Sequence, residues 1–191
     1  MPSVISHALV AVALGRSQPR TVWSPRFWVL SIACAVAPDL DVVGYKLGVP
    51  YDHLFGHRGF SHSFVFAGLL GLLVVTCAFP QIGRWTPLWW RLVGYFSLVT
   101  ASHGILDAFT NGGLGVAFFA PFDHTRYFFP WTPIKVSPLS LRTFFSSAGL
   151  AVLASELVWI GIPVMAAAVG LALFRRGRGG RKSLVWKQSV E

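Results

Sequence analysis

Charge is what this sequence has least of. Of its 191 residues only 12% are Asp, Glu, Lys or Arg, and there are just five Asp and two Glu. A water-soluble domain carries roughly 25% charged residues, so this chain cannot coat a water-facing surface and needs lipid over much of it. Cysteine is scarce too. Cys34 and Cys77 both lie in apolar runs with no C-x-x-C spacing, which excludes a disulfide scaffold or a thiolate zinc site and reads as buried free thiols. The first fifteen residues have no charged leader region, and His7 interrupts their apolar stretch, so no cleavable signal peptide is expected. There is no internal repeat.

What is abundant is apolar. Hydrophobic residues make up 54% of the chain, and the mean hydropathy is +0.60. A membrane-crossing helix needs about 20 mostly apolar residues. Segments 60–79, 89–110 and 143–174 meet that length, while 27–37 and 3–14 are apolar but short. The expected fold is all-α, an integral membrane bundle of four to five transmembrane or half-spanning helices, with residues 1–174 as one domain and 175–191 as a basic tail. Segment 111–142, with four prolines and several glycines, is expected to be an irregular cap on the membrane surface.

The net charge of +9 does not indicate a nucleic-acid partner. Six of the sixteen Lys and Arg residues lie in the tail after the last apolar segment, and most of the others sit in short connections. If all five segments cross and the tail is cytoplasmic, eleven basic residues fall inside and five outside, the bias typical of inner-membrane proteins. The expected location is therefore a bacterial inner membrane, multi-pass, with Asp39, Asp41, His57, His62 and Asp107 toward the outer face, and membrane lipids as partners.

The few carboxylates are not scattered. Asp39 and Asp41 form A-P-D-L-D, and Asp107 follows His103 by four residues. Residues four apart on a helix share a face, with Cβ atoms about 5–6 Å apart, so His103 and Asp107 can point at one ion. Two carboxylates as close as Asp39 and Asp41 repel unless a cation or several donors lie between them. The stretch G-H-R-G-F-S-H-S, residues 56–63, brings His57, Arg58 and His62 to the start of an apolar segment. Ser61 stands where a helix N-cap belongs. Arg58 suits an anionic group such as phosphate or a lipid headgroup. His7 alone reads most simply as a satisfied core residue. Glu156 lies mid-segment without a local partner. A His and Asp set without Cys suits zinc, manganese or iron.

These blocks in order resemble a known family. They are His7, P-D-L-D at 38–41, H-R-G-F-S-H-S at 57–63, S-H-G-I-L-D-A-F-T at 102–110 and A-P-F-D-H-T-R at 120–126. The pattern resembles the bacterial membrane-bound metal-dependent hydrolases of the LexA-regulated inner-membrane family, over about residues 3–135. Its ligand order is also similar to that of zinc-dependent phospholipase C enzymes, whose further His/Glu cluster has no counterpart here. The resemblance implies a hydrolase of a phosphoester, with a small-molecule or lipid substrate and one or two divalent ions. It implies that Asp39 or Asp41, His62, His103 and Asp107 hold one ion and that His7 and Asp107 help hold a second, with His57 a further candidate ligand. Asp39 or Asp41 would serve as general base, and Arg58, Ser61 and Arg126 would meet substrate. The same His and Asp set could instead conduct metal ions or protons, or could simply fix helix packing.

Overall fold

A computed structural model describes residues 1–138 and 140–174; the basic tail lies outside the described residues. These residues form helices and no strand. In chain order they are α1 (Val4–Gly15), α2 (Pro25–Val36), α3 (Val42–Lys46), α4 (Phe64–Ala78), α5 (Pro87–Ala108), α6 (Leu141–Phe144) and α7 (Ser147–Glu156). The starts of the long helices are written in the sequence. Ser24 and Thr86 accept the backbone N–H groups of Phe27 and Trp89, and each is followed by a proline at the first helical position, where the missing N–H is not needed.

Two stretches are both long and apolar enough to cross a membrane, Pro25–Lys46 and Ser147–Phe174. The first is longer than the expected 27–37. Pro38 interrupts the α ladder, but the chain continues as a 3₁₀ turn, Ala37–Asp41, directly into α3. The second runs from α7 through a π turn, Leu157–Gly161, to Phe174. Segment 60–79 contains a helix of only 15 residues, about 22 Å at 1.5 Å per residue and short of a roughly 30 Å hydrocarbon core. Its first residues form a separate 3₁₀ turn, Phe60–His62, and the helix N-cap is Ser63, which accepts from Phe66 N, not Ser61. Segment 89–110 forms α5, which is 22 residues long and buries ten of them, so it is the inner post of the bundle. Between Ala108 and Leu141 no described residue is helical. That segment folds over the end of the bundle through isolated bridges, Thr110 with Ile134 and Val116 with Tyr127.

The main core joins α1, α2, α4 and α5 through Ala11, Phe27, Val75, Leu92, Phe96 and Val99. Inside it, the Tyr95 hydroxyl donates to Ser31 Oγ at 2.7 Å, and Ser31 donates to the Phe27 carbonyl, tying α5 to α2. Cys34 is buried there, whereas Cys77 is exposed on α4, on the side of a helix that faces away from the bundle.

The tightest helix contact is between α4 and α5, and Gly71 permits it. A methyl group there would meet Ser97 N at 2.7 Å and the Val93 carbonyl at 2.9 Å. These are backbone atoms that cannot rotate away. Gly71→Ala should therefore lower stability by about 1–3 kcal/mol, the range for overpacking. Gly68→Ala, which meets nothing within 4 Å, should not. Thermal unfolding of the two variants in detergent checks the difference.

Candidate metal centre

The sequence elements singled out above meet at one end of the bundle. α5 presents His103 and Asp107 on one face, both fully buried. α1 brings His7 against them, its ring stacked on His103 at 3.8 Å and 12°. The 3₁₀ turn after α2 supplies Asp39 and Asp41. The turn before α4 supplies His62. That turn can lie on α5 because Gly104, between His103 and Asp107, has no side chain; a methyl group there would stand 2.9 Å from the His62 carbonyl.

With three residues per turn, the tight winding of residues 37–41 sends its two carboxylates to opposite sides of His62. Asp39 Oδ1 lies 3.9 Å from His62 Nε2 and 3.2 Å from His103 Nε2. Asp41 Oδ2 lies 3.2 Å from His62 Nδ1. Asp41 is held in turn by His57 Nδ1 at 2.6 Å, by Ser61 Oγ at 2.6 Å and by the backbone N–H of Arg58 at 3.1 Å. Neither aspartate caps a helix.

These contacts fix the tautomers. His103 Nδ1 lies 2.7 Å from the Ala35 carbonyl. A carbonyl only accepts, so Nδ1 carries the proton and Nε2 a lone pair. His62 Nδ1 faces the Asp41 carboxylate, which in the neutral ring places the proton on Nδ1 and leaves the lone pair on Nε2. The two Nε2 atoms point at the same place, and so do the carboxylates of Asp39 and Asp107. Asp107 Oδ2 is 3.5 Å from His62 Nε2 and 4.0 Å from His103 Nε2, while Oδ1 faces His7 Nε2 at 3.7 Å.

None of these inward-facing atoms has a hydrogen-bond partner. Both oxygens of Asp39 and of Asp107, both ring nitrogens of His7, and the Nε2 atoms of His62 and His103 are buried without one. His7 is thus not a satisfied core histidine. A buried acceptor without a donor costs about 1–3 kcal/mol, more if charged, and a cation at their common focus removes that cost for several at once. The ligand atoms of Asp39, His62, His103 and Asp107 lie within 4.8 Å of one another. Zinc binds N and O donors at about 2.0–2.2 Å, so two ligands of one ion stand at most about 4.4 Å apart. Four of the six pairs, at 3.2–4.0 Å, meet that limit, and the other two lie within 4.8 Å. The residues present therefore fit a divalent ion. The cluster approaches the surface at Asp39, whose side chain is 11% exposed.

The two arginines read as substrate contacts are engaged by the protein itself. Arg58 is 1% exposed, with a positive φ of 62°. Its Nη atoms donate to the Gly112 carbonyl and to Thr110 Oγ1, and Nε forms an ion pair with Asp107 Oδ2 at 3.1 Å. Arg126 donates to the carbonyls of His57, Tyr51 and His53, and its guanidinium packs over the Tyr51 ring. Burial lowers the Arg126 pKa from its usual value and raises that of the Tyr51 phenol. Much of the donor capacity of each guanidinium is thereby turned to protein acceptors. His53, His124 and Asp52 are exposed, away from the cluster. Asp123 accepts from Thr125 N and Tyr127 Oη, and the Thr125 bonds lower its pKa. Sequence reasoning did not find Thr110 and Gly112, the acceptors that orient Arg58. Their only signal was their place just after Asp107.

The chain belongs to the YdjM inner membrane protein family, whose model covers residues 1–179. It is 40% identical over 181 residues to the inner membrane protein YbcI of Escherichia coli (strain K12), a similarity that spans 92% of this chain and 99% of that protein. These relatives establish an inner-membrane family, and their names carry no reaction. No solved structure matches the chain.

The site makes a direct prediction. Detergent-purified protein should carry one or two equivalents of a divalent metal by mass spectrometry, lost in His103→Ala and Asp107→Ala. Asp41→Asn, which alters only the support behind His62, should weaken affinity about 10–100-fold, the usual effect of changing such a partner. Occupancy should fall as pH falls, because imidazole and carboxylate ligands bind only when deprotonated. Equal metal content in wild type and Asp107→Ala would refute the assignment.

Proposed function

We propose that this protein is a multi-pass inner-membrane hydrolase that uses one or two divalent ions, zinc foremost, with manganese or iron as alternatives, to cleave a phosphoester, in particular one carried by a lipid. The observation that carries the reading is the buried convergence of His7, Asp39, His62, His103 and Asp107, whose facing ring nitrogens and carboxylate oxygens find no hydrogen-bond partner in the folded chain. A set of charges meant only to glue helices would pair its donors and acceptors internally, as Tyr95 and Ser31 do.

In this reading Asp39, His62, His103 and Asp107 hold one ion. Asp107 has each oxygen facing a different imidazole, the disposition of a carboxylate shared between two ions, with His7 on the second side. Bound ions of this kind supply a water activated near neutral pH and polarise the scissile group. The protein's own groups do the rest. Asp39 turns Oδ1 toward the imidazoles and has the position nearest the surface from which to take a proton. Asp41, with His57 and Ser61, holds His62 in its metal-binding tautomer. Arg58 orients Asp107 through its ion pair. Phosphate oxygens would then be met chiefly by the ions, since Arg58 and Arg126 turn most of their N–H donors to the protein.

Two features support a lipid substrate and an outward site. Leu40, Val43 and Leu47, which flank and follow the Asp39–Asp41 turn, expose large apolar side chains, Leu47 at 81%. A cluster of exposed apolar groups suits a bilayer surface. The distribution of basic residues supports an outer position for the 47–59 loop, and a reporter fused in that loop should report a non-cytoplasmic position.

The decisive assay offers phospholipid and soluble phosphodiester substrates to the metal-loaded protein. Turnover should disappear on chelation, return on adding metal back, and drop at least about 100-fold in Asp107→Asn, on the scale of losing transition-state charge stabilisation. Metal-loaded protein that leaves every phosphoester intact, yet passes the ion across vesicle membranes, would replace hydrolysis with ion carriage.

A further inference from the structure

Outside the cluster, the described residues hold one further buried carboxylate, Glu156, at 3% exposure. It lies at the end of α7 and immediately precedes the π turn, in the helix that carries none of the motifs. Its carboxylate accepts from the backbone N–H of Ser3, from Ser3 Oγ at 2.5 Å and from Ser6 Oγ at 2.7 Å. These partners are the N-cap and the third residue of α1.

That arrangement has a local counterpart. In a capping box the N-cap side chain bonds the third helical N–H, and a Glu at that third position bonds the N-cap N–H. Here the third position is Ser6, Ser3 makes no cap bond to its own helix, and the first turn has no acidic residue. Glu156 supplies the missing carboxylate from another helix. It bonds the N-cap N–H, and it puts negative charge at the positive end of the α1 dipole. The cap segment pulls the same way, since Ser137 N donates to the Met1 carbonyl and Lys135 N donates to Ser155 Oγ, next to Glu156.

The residue after Ser6 is His7. It is the one imidazole of the cluster with no hydrogen bond to fix its ring; its place rests on the stack with His103 and on where α1 lies. We propose that Glu156 is a positioning residue for the metal centre: by capping α1 from the last helix it sets the depth and rotation of that helix and so aims His7 at Asp107. This rests on the metal-centre reading above. It also assigns a task to the last helix, which makes the inner-membrane span a working part of the site.

The test is cobalt(II) titration of the full-length protein in detergent, followed by its visible absorption bands, on wild type, Glu156→Gln, the Ser3→Ala/Ser6→Ala double variant, His7→Ala and Asp107→Ala. Circular dichroism on each variant verifies that the helices remain. Glu156→Gln and the serine variant should both weaken cobalt binding about 10-fold or more and should shift the bands toward those of His7→Ala. Adding His7→Ala to Glu156→Gln should produce little further change. If Glu156→Gln lowers the unfolding temperature but leaves affinity and bands as in wild type, Glu156 is a packing clamp and the proposal is overturned. If wild type and Asp107→Ala bind cobalt equally or not at all, the metal centre itself fails and this inference falls with it.

Discussion

A cluster of imidazoles and carboxylates without hydrogen-bond partners, buried inside a helical bundle, is the constraint around which this molecule is arranged. In their neutral rings, His62 Nε2 and His103 Nε2 are acceptors, because each ring's other nitrogen faces an acceptor, the Asp41 carboxylate and the Ala35 carbonyl. The carboxylates of Asp39 and Asp107 add four more acceptor atoms. Carboxylates this close repel one another in a low-dielectric interior, and the Arg58 ion pair meets only Asp107. Such an arrangement suits a cation.

The supporting structure serves that focus. Asp41 does not face it; with His57, Ser61 and the Arg58 backbone it forms the frame behind His62. Arg58 is buried and held by Gly112 and Thr110, and Arg126 pins the 51–57 loop through three carbonyls. The residues most suggestive of anion binding in the sequence thus have clear architectural partners.

The setting is a membrane. Family membership establishes an inner-membrane protein, and the exposed apolar faces of Pro25–Lys46 and Ser147–Phe174 accord with lipid around them. The shorter helices α1 and α4 do not span on their own length. They lean on α5, whose burial makes it the post from which both His103 and Asp107 project. A polar centre can be tolerated in such a chain because packed helices and the non-helical cap surround it.

Much of this was legible in the residues themselves. Scarce charge required lipid, since apolar surface cannot face water on that scale. The i, i+4 spacing put His103 and Asp107 on one face, because helix periodicity is local. The capping residues Ser24 and Thr86 and the prolines after them marked helix starts for the same reason. What tertiary structure alone decided were the relations between segments far apart in the chain. The pairing of Glu156 with Ser3 and Ser6 could not be read from a sequence in which they stand about 150 positions apart. The division of labour between Asp39 and Asp41 came from the 3₁₀ winding that Pro38 imposes and from which neighbour each side chain then met. Ser61 lost the expected capping role to Ser63 because the turn before α4 closes two residues later. Periodicity and composition act along the chain and are visible in it. Hydrogen bonds, ion pairs and burial are decided by which distant segment arrives alongside, and only the folded bundle contains that information.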